Sequence, residues 1–256
     1  MKQNSKRSAT ASKTTRSVER QSDQAFTCLC EAIIRCELAP GAMVSEPQLE
    51  EMFDFSRVAL RVAIDRLAQL KLVHPLHRRG YRIAPITLRD VKNAFELRML
   101  IEPPSARMAV GRVDLDLLRR VNEKSMVSVR PGDRAAESDL IAANREFHIL
   151  IAEASNNDKL VALIEQVLRD IDRVYYFGLV RDPRYIGMQR EHVELIKALE
   201  KGDGGQAEKI ARIHIEDGYR IAMDAILNTS SLADTGLEVI AGLKHPVTPA
   251  APRRRA

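Results

Sequence analysis

The sequence predicts a mainly α-helical protein, in which a small N-terminal domain with a β-hairpin precedes an all-α antiparallel bundle of about six helices. Three observations support this fold class. Apolar residues recur at helical spacing along most of the 256 residues. Strand-like segments are confined to residues 72–83. Breaks rich in glycine, proline and asparagine separate the helical segments, as expected for helices joined by turns.

The composition is that of an ordinary soluble globular protein, with 45% hydrophobic and 29% charged residues. No apolar run approaches the ~18–20 residues that span a membrane, and the polar, basic first twenty residues lack the apolar core of a secretory signal. The three cysteines, Cys28, Cys30 and Cys36, lie close together without zinc-knuckle or CxxC spacing. Such a set suits a reducing compartment, so we expect a cytoplasmic protein.

The net charge of +5 is concentrated at the two ends of the chain. Residues 1–20 carry six basic groups against one acidic group, and three arginines stand at 253–255. Residues 1–20 and 230–256 are predicted to be disordered tails. Between them, residues 21–54 hold seven acidic groups and one basic group, whereas 55–85 hold seven basic groups and one acidic group. This segregation predicts one strongly positive face, which is typical of nucleic-acid-binding domains.

Residues 21–85 show the pattern of a winged helix-turn-helix domain. Helical periodicity is stopped by the turn signal Ala39-Pro40-Gly41. Ser45 and Ser56 then stand where N-caps belong, each ahead of a short amphipathic helix. Two strand-like segments around a polar loop predict the small β-hairpin wing. These segments are Leu72-Val73 and Tyr81-Arg82-Ile83, with His77-Arg78-Arg79-Gly80 between them.

Residues 86–229 are predicted to form an all-helical domain, because helical periodicity continues there with almost no strand signal. The predicted helices span about 87–111, 114–129, 134–154, 157–180, 186–201 and 204–228. The residues that mark the breaks are Gly111, Pro131-Gly132, Asn156-Asn157, Asp182-Pro183 and Gly202.

A series of short motifs carries a family resemblance. In the N-terminal part, Leu38-Ala39-Pro40-Gly41 resembles an L-x-P-G turn, and the segment FDFSRVALR at 53–61 resembles F-G-V-S-R-T-P-V-R. Leu72-Val73 followed by Arg79-Gly80-Tyr81 matches a wing. Residues 26–85 therefore resemble the winged-helix domain of the GntR family.

The C-terminal part resembles the helical ligand-binding (FCD) domain of the FadR-type subfamily over residues 87–228. Glu96-Leu97-Arg98 with Glu102 resembles its E-L-R…L-E opening, and Asn144-x-x-Phe147-His148 resembles its [D/N]-x-x-F-H motif. The resemblance implies a transcription regulator rather than an enzyme, with repression as the expected action. It also implies an effector-binding and dimerisation domain at 86–229.

The chain departs from the family pattern around the second short helix. Asp54 stands in place of a turn glycine, Val58-Ala59 in place of Thr-Pro, and Val62 in place of a common glutamate. Aspartate tolerates the left-handed conformation that glycine supplies, so we expect the turn to be kept. The lost threonine removes a possible phosphate contact.

Five residues are predicted to contact DNA. Arg57 and Arg61 lie one turn apart at the start of the second helix and suit bidentate pairing with guanine; Ser56 can contact a phosphate or act as a cap alone. Arg79 and Gly80 at the wing suit a groove or phosphate approach. A single winged helix reads little DNA, so we expect a homodimer on a palindromic double-stranded operator.

Three histidines predict a metal site in the helical domain. His148, His192 and His214 fall on three different predicted helices, each on the apolar stripe, and Asn144 precedes His148 by one turn. The residues alone also fit three unrelated core histidines. The resemblance places all three at ligand positions, with Asn144 where many relatives have a carboxylate. We therefore expect a divalent metal, with Zn²⁺ favoured and Ni²⁺ or Mn²⁺ as alternatives.

The same site suggests a small organic-acid effector, held by the metal and clamped by Arg98. Arg98 can instead pair with Glu102 one turn later. Two alternatives stay open: a regulator with a metal-free acyl-type effector site, and a zinc-dependent hydrolase. The hydrolase is disfavoured because no H-E-x-x-H or similar general-base pattern surrounds these histidines.

Overall fold

The structure is a computed structural model that describes residues 20–127, 130, 133–177 and 183–233. The chain divides into two compact units between Pro85 and Ile86. Within the described ranges, the fold class predicted from the sequence is confirmed: a winged helix-turn-helix with a small sheet, followed by a helical bundle. No helix in these ranges is long and apolar enough to cross a membrane. Most of both predicted tails falls outside the described residues, but residues 20 and 230–233 are described and are helical, so the disorder predicted for these positions is wrong.

Over residues 20–85, the N-terminal unit contains three helices and a three-stranded antiparallel sheet of order β1-β3-β2. The short strand β1 was not predicted. It pairs Met43 with Arg82 and Val44 with Tyr81, and a two-residue strand is too short to show alternation in the sequence. The elements are α1 at 20–34, β1 Met43–Val44, α2 Glu46–Phe53, α3 Arg57–Gln69, β2 Val73–Leu76 and β3 Gly80–Ile83.

Capping side chains fix the ends of α2 and α3 as the sequence predicts. Ser45 accepts from the backbone N–H of Gln48, whose side chain returns a bond to the Ser45 N–H, and Ser56 accepts from the N–H of Ala59. Asp54 adopts the left-handed conformation expected for the turn, with φ 53° and ψ 40°. The helix-turn-helix therefore keeps its geometry without glycine.

The first helix ends earlier than its periodicity predicts. It stops at residue 34, and Cys36 takes a left-handed conformation with φ 55°. The N–H groups of Glu37 and Leu38 both return to the carbonyl of Ala32, at 2.9 and 3.1 Å. This turn folds Leu38 back into the core, where it is 4% exposed, so an apolar residue continues the pattern outside the helix.

The C-terminal unit contains six helices within the described ranges, and the three histidines lie on three of them. Proline is tolerated in the first turn of a helix, so α8 begins at Pro183 rather than at the predicted 186. The break predicted at Pro131-Gly132 lies outside the described residues. The helices are α4 Leu88–Met108, α5 Leu115–Ser125, α6 Arg134–Glu153, α7 Asp158–Phe177, α8 Pro183–Glu200 and α9 Gly204–Ala233.

Candidate functional site

Helices α6, α8 and α9 bring three imidazoles together in the interior of the bundle. His148, His192 and His214 are 6%, 0% and 3% exposed. One ring nitrogen of each lies within 4.8 Å of those of the other two. The Nε2 atoms of His192 and His214 are 3.3 Å apart. Three histidines from separate helices thus face one small volume, as the sequence predicted for a ligand cluster.

The Nδ1 atom of each imidazole faces an oxygen acceptor. His148 Nδ1 lies 2.8 Å from Glu102 Oε2, His192 Nδ1 lies 3.1 Å from Asn122 Oδ1, and His214 Nδ1 lies 2.9 Å from Glu191 Oε2. An oxygen acceptor at Nδ1 favours the tautomer with the proton on Nδ1 and leaves the Nε2 lone pair free. Metal-ligating histidines have outer partners of this kind.

The spacing of one pair of nitrogen atoms fits a tetrahedral metal. With Zn–N bonds of about 2.0–2.1 Å, two ligands of a tetrahedron stand about 3.3–3.4 Å apart, which agrees with the 3.3 Å between His192 and His214. Burial lowers the pKa of His148 to about 4, although the charge of Glu102 opposes this shift. Burial and the other two histidines lower the pKa of His192 well below its ordinary value. Both rings are therefore neutral at pH 7, as metal ligands must be.

Arg98 contacts this cluster directly. Its side chain is buried on α4, its Nε and Nη2 bind the two carboxylate oxygens of Glu102, and its Nη2 lies 3.4 Å from His148 Nε2. Burial raises the pKa of Glu102, but the charge of Arg98 and the hydrogen bonds from Arg98 and His148 outweigh it and hold that pKa below its usual range. The ion pair with Glu102, one of the two roles considered for Arg98, is present. A metal on His148 would have to displace the Nη2 contact.

Several buried donors near Arg98 lack partners. Arg98 Nη1, Tyr185 Oη and Gln189 Nε2 make no hydrogen bond of good geometry to the described residues, although the Tyr175 hydroxyl lies close to Arg98 and the Gln189 side chain lies close to Tyr185. Tyr175 and Tyr185 pack with ring centroids 5.3 Å apart, and the charge of Arg98 opposes the effect of burial, which raises the pKa of Tyr175. An unpaired buried donor is costly, so these atoms favour a ligand that supplies acceptor oxygens.

The space beside the histidines is small. A cavity of about 10 Å³ is lined by Glu102, His148, His214 and neighbouring apolar side chains. That volume corresponds to about one water-sized sphere. It suits a single ion, and an organic acid would have to move the surrounding helices apart.

Several residues around this cluster were not predicted from the sequence. Asn122 and Glu191 were not singled out, nor were Tyr185 and Gln189. The sequence does contain a signal for Tyr185 and Gln189. They precede His192 by seven and three residues, which places all three on one face of α8. Asn144 is 2% exposed, one turn before His148 on α6, and its role as a ligand stays a prediction.

The residues predicted to contact DNA lie at the start of α3 and on the wing. The Arg57 and Arg61 side chains are 59% and 61% exposed. Ser56 caps α3, and its hydroxyl lies 3.4 Å from Gln21 Oε1. Arg79 is exposed and makes no ion pair with the described residues. The sequence predicts one strongly positive face, but Arg57 and Arg61 of α3 each pair with a glutamate of α2.

Gly80 is required by a contact inside the sheet. It has φ +86°, and a Cβ on it would stand 2.5 Å from the carbonyl oxygen of Val44 on β1. Any side chain there would collide with backbone. This explains the glycine without DNA, so a DNA contact at Gly80 remains a prediction.

A winged helix-turn-helix joined in one chain to a helical bundle with a buried polar centre defines a DNA-binding transcription regulator. Residues 21–83 match the bacterial regulatory proteins of the gntR family, and residues 93–217 match the FCD domain. The chain belongs to the GntR family and carries an FCD domain. It is a regulator of transcription and not an enzyme.

Similar proteins agree with this assignment. The chain is 26% identical over 196 residues to the HTH-type transcriptional repressor RspR of Escherichia coli strain K12, covering 76% of this chain and 85% of that protein. It shares its fold with E. coli McbR/YncC, at a TM-score of 0.66 and 20% identity, covering 80% and 97% of the two chains. A GntR regulator from Rhodococcus sp. RHA1 gives a TM-score of 0.64 at 22% identity, covering 80% and 99%.

Proposed function

We propose that the chain is a cytoplasmic, homodimeric repressor of the FadR-type subfamily. It binds a palindromic operator and releases it when a small organic acid binds at a histidine-ligated metal. The observation that carries this proposal is the set of three buried imidazoles, each with an oxygen acceptor at Nδ1. Their Nε2 atoms would serve a shared ion, which on His148 takes the place of the Arg98 contact.

The metal centre would use His148, His192 and His214, with Asn144 as a fourth, weaker oxygen ligand. Neutral nitrogen ligands with one oxygen favour Zn²⁺, with Ni²⁺ or Mn²⁺ as alternatives. The bound ion would supply positive charge and an open position for a carboxylate. Glu102, Asn122 and Glu191 would hold the rings in orientation.

Arg98 would bind the effector through the donor that has no partner. Its Nε and Nη2 are used by Glu102, while Nη1 makes no hydrogen bond of good geometry to any described residue. A carboxylate between Nη1 and the ion would satisfy both. Tyr185 and Gln189, with their own unpartnered donors, extend this preference for an oxygen-rich ligand.

DNA would be contacted by Ser56, Arg57, Arg61, Arg79 and Gly80. An effector changes DNA affinity only if it binds the two conformations of the protein unequally. The cavity beside the histidines admits about one ion, so an organic acid would favour a conformation in which the helices of the bundle have shifted. A coupling of ~1–3 kcal/mol would change operator affinity ~5–150-fold.

The test is a titration of small carboxylic acids against protein bound to labelled operator. Wild type is compared with Arg98→Lys, which keeps the charge but loses the planar fork; an alanine would leave Glu102 buried without its partner. Arg112→Lys, at an exposed position of the same unit, is the matched control. We expect an acid that releases wild type and the control to fail on Arg98→Lys. Release of all three at one concentration would remove Arg98 from the effector site, and release only by acyl thioesters would favour the metal-free alternative.

A further inference from the structure

Each arginine of α3 is paired with a carboxylate from the acidic half of the N-terminal unit. Arg57 pairs with Glu50, and Arg61 pairs with Glu46. Arg66 pairs with Asp23 of α1. The segregated charges of the sequence therefore meet in the folded unit, and the helix that would read DNA presents arginines that are already partnered.

The pairing of Arg57 and Arg61 uses one particular edge of each guanidinium. Arg57 donates through Nε and Nη2 to the two oxygens of Glu50, at 2.6 and 3.2 Å. Arg61 donates through the same two atoms to Glu46, at 2.8 and 3.0 Å. A guanidinium has five N–H donors in a fixed plane, so three donors stay free, and two of them, one on Nη1 and one on Nη2, form its outer edge. That outer edge can donate to guanine O6 and N7. The inner edge, formed by Nε and Nη2, stays on the glutamate.

The glutamates are held more firmly than the arginines. The side chains of Glu46 and Glu50 are 19% and 27% exposed, against 61% and 59% for their partners. Tyr81 of the wing donates to Glu46 Oε1 at 2.9 Å. The hydrogen bonds from Arg61 and Arg57 keep the pKa values of Glu46 and Glu50 below their ordinary range, so both carboxylates are charged at neutral pH.

We propose that Glu46 and Glu50 are positioning residues that determine specificity, each fixing the inner edge of a DNA-reading arginine and offsetting its charge toward phosphates. This inference rests on the proposed contacts of Arg57 and Arg61 with DNA. Affinity for DNA of any sequence comes from phosphate neutralisation and counterion release. A carboxylate beside each arginine reduces that contribution and leaves the directional bonds to base edges intact. The ratio of operator affinity to affinity for other DNA therefore rises.

The experiment compares Glu46→Gln and Glu50→Gln with wild type on two duplexes. One is a duplex enriched by wild-type protein from a random library, and the other has the same composition in scrambled order. Glu51→Gln is the matched control, since it removes the same charge from the same helix at an exposed position with no ion pair to the described residues. Binding is followed by fluorescence anisotropy between 50 and 200 mM salt, about the range over which such contacts weaken strongly.

We expect both variants to bind the scrambled duplex more tightly than wild type and to lose part of the ratio between the two duplexes. Each freed arginine should steepen the slope of log affinity against log salt by about 0.9. The increase in affinity over wild type should therefore be about 3.5-fold smaller at 200 mM salt than at 50 mM salt. Glu51→Gln should change neither the slope nor the ratio.

A double-mutant cycle assigns each effect to its pair. The effect of Glu50→Gln should disappear in an Arg57→Ala background and persist in an Arg61→Ala background, and Glu46→Gln should show the converse. If both variants behave like Glu51→Gln, or if their effects ignore the background, this inference is overturned while operator binding stands. If wild type enriches no duplex, the proposed DNA contacts fail, and this inference fails with them.

Discussion

Two arginine–glutamate pairs of this protein share one bonding pattern and differ in their surroundings. Arg98 and Glu102 lie in the helical bundle, with side chains 1% and 8% exposed. Arg57 of α3 and Glu50 of α2 lie in the winged-helix unit, with side chains 59% and 27% exposed. In both pairs Nε and Nη2 bind the two carboxylate oxygens.

The surroundings decide what each pair can do. A buried charge that loses its partner is left without water to replace it, so Arg98 and Glu102 depend on each other. Glu102 also accepts from His148, which ties the pair to the histidines. An exposed pair is solvated and costs little to rearrange, so the free donors of Arg57 are open to the acceptors of a base edge. Burial therefore makes one pair structural and leaves the other available for recognition.

The largest expected effect is on the buried pair. Glu102→Ala should lower the free energy of unfolding by about 3–5 kcal/mol, because it leaves Arg98 buried without its counterion. Glu50→Ala should cost far less, because water can solvate the arginine that it leaves behind. Urea unfolding of both variants beside wild type measures the difference, and equal losses would mean that burial does not separate the two pairs.

A second expectation concerns Asp172, a buried carboxylate whose pKa is raised, whereas that of Glu102 is lowered. Burial raises the pKa of Asp172 to about 7, although Arg145 opposes the shift from 2.8 Å. The folded protein then holds this proton more tightly than the unfolded chain, whose Asp pKa is about 3.9. The stabilisation is complete below that value and is lost as pH rises to about 7, by up to about 4 kcal/mol.

Asp172→Asn isolates this contribution, because asparagine does not titrate. The slope of unfolding free energy against pH between 4 and 7 should be more positive in the variant than in wild type. Parallel slopes would show that Asp172 stays ionised with Arg145.

A smaller effect is expected at the exposed pair, and it should appear in binding. Arg57→Ala should weaken operator binding by ~1–3 kcal/mol if the side chain pairs with a base, with little change in unfolding. Arg66→Ala is the control on the same helix, since Arg66 faces α1 through Asp23 at 2.7 Å and the Phe26 ring at 4.0 Å. A gel shift at fixed salt in which both variants bind equally would argue against a special role for Arg57.

Periodic and capping signals predicted the fold, because they are local. Ser45, Ser56 and the left-handed Asp54 follow from residues within one turn of each. The two-residue strand β1 lacks such a signal, since it depends on pairing with β3 across the chain. The partners of the candidate site are also distant in sequence: Asn122 lies 70 residues from His192, and Glu46 lies 35 residues from Tyr81. Residue type and position on the helix face were enough to predict the histidine cluster. The oxygen acceptors at Nδ1 are brought to the histidines only by tertiary packing.

We expect the three buried histidines to hold a divalent metal. Elemental analysis of tag-free protein should find about one divalent ion per chain, and chelator should lower the melting temperature because the bound metal stabilises the folded state. Substitution of His148, His192 and His214 by alanine should abolish binding. His214→Gln, which keeps a donor for Glu191, should weaken it, and His74→Ala in the N-terminal unit should retain it. Protein that contains no metal, takes up none of Zn²⁺, Ni²⁺ or Mn²⁺ on dialysis, and melts identically with chelator would contradict this expectation.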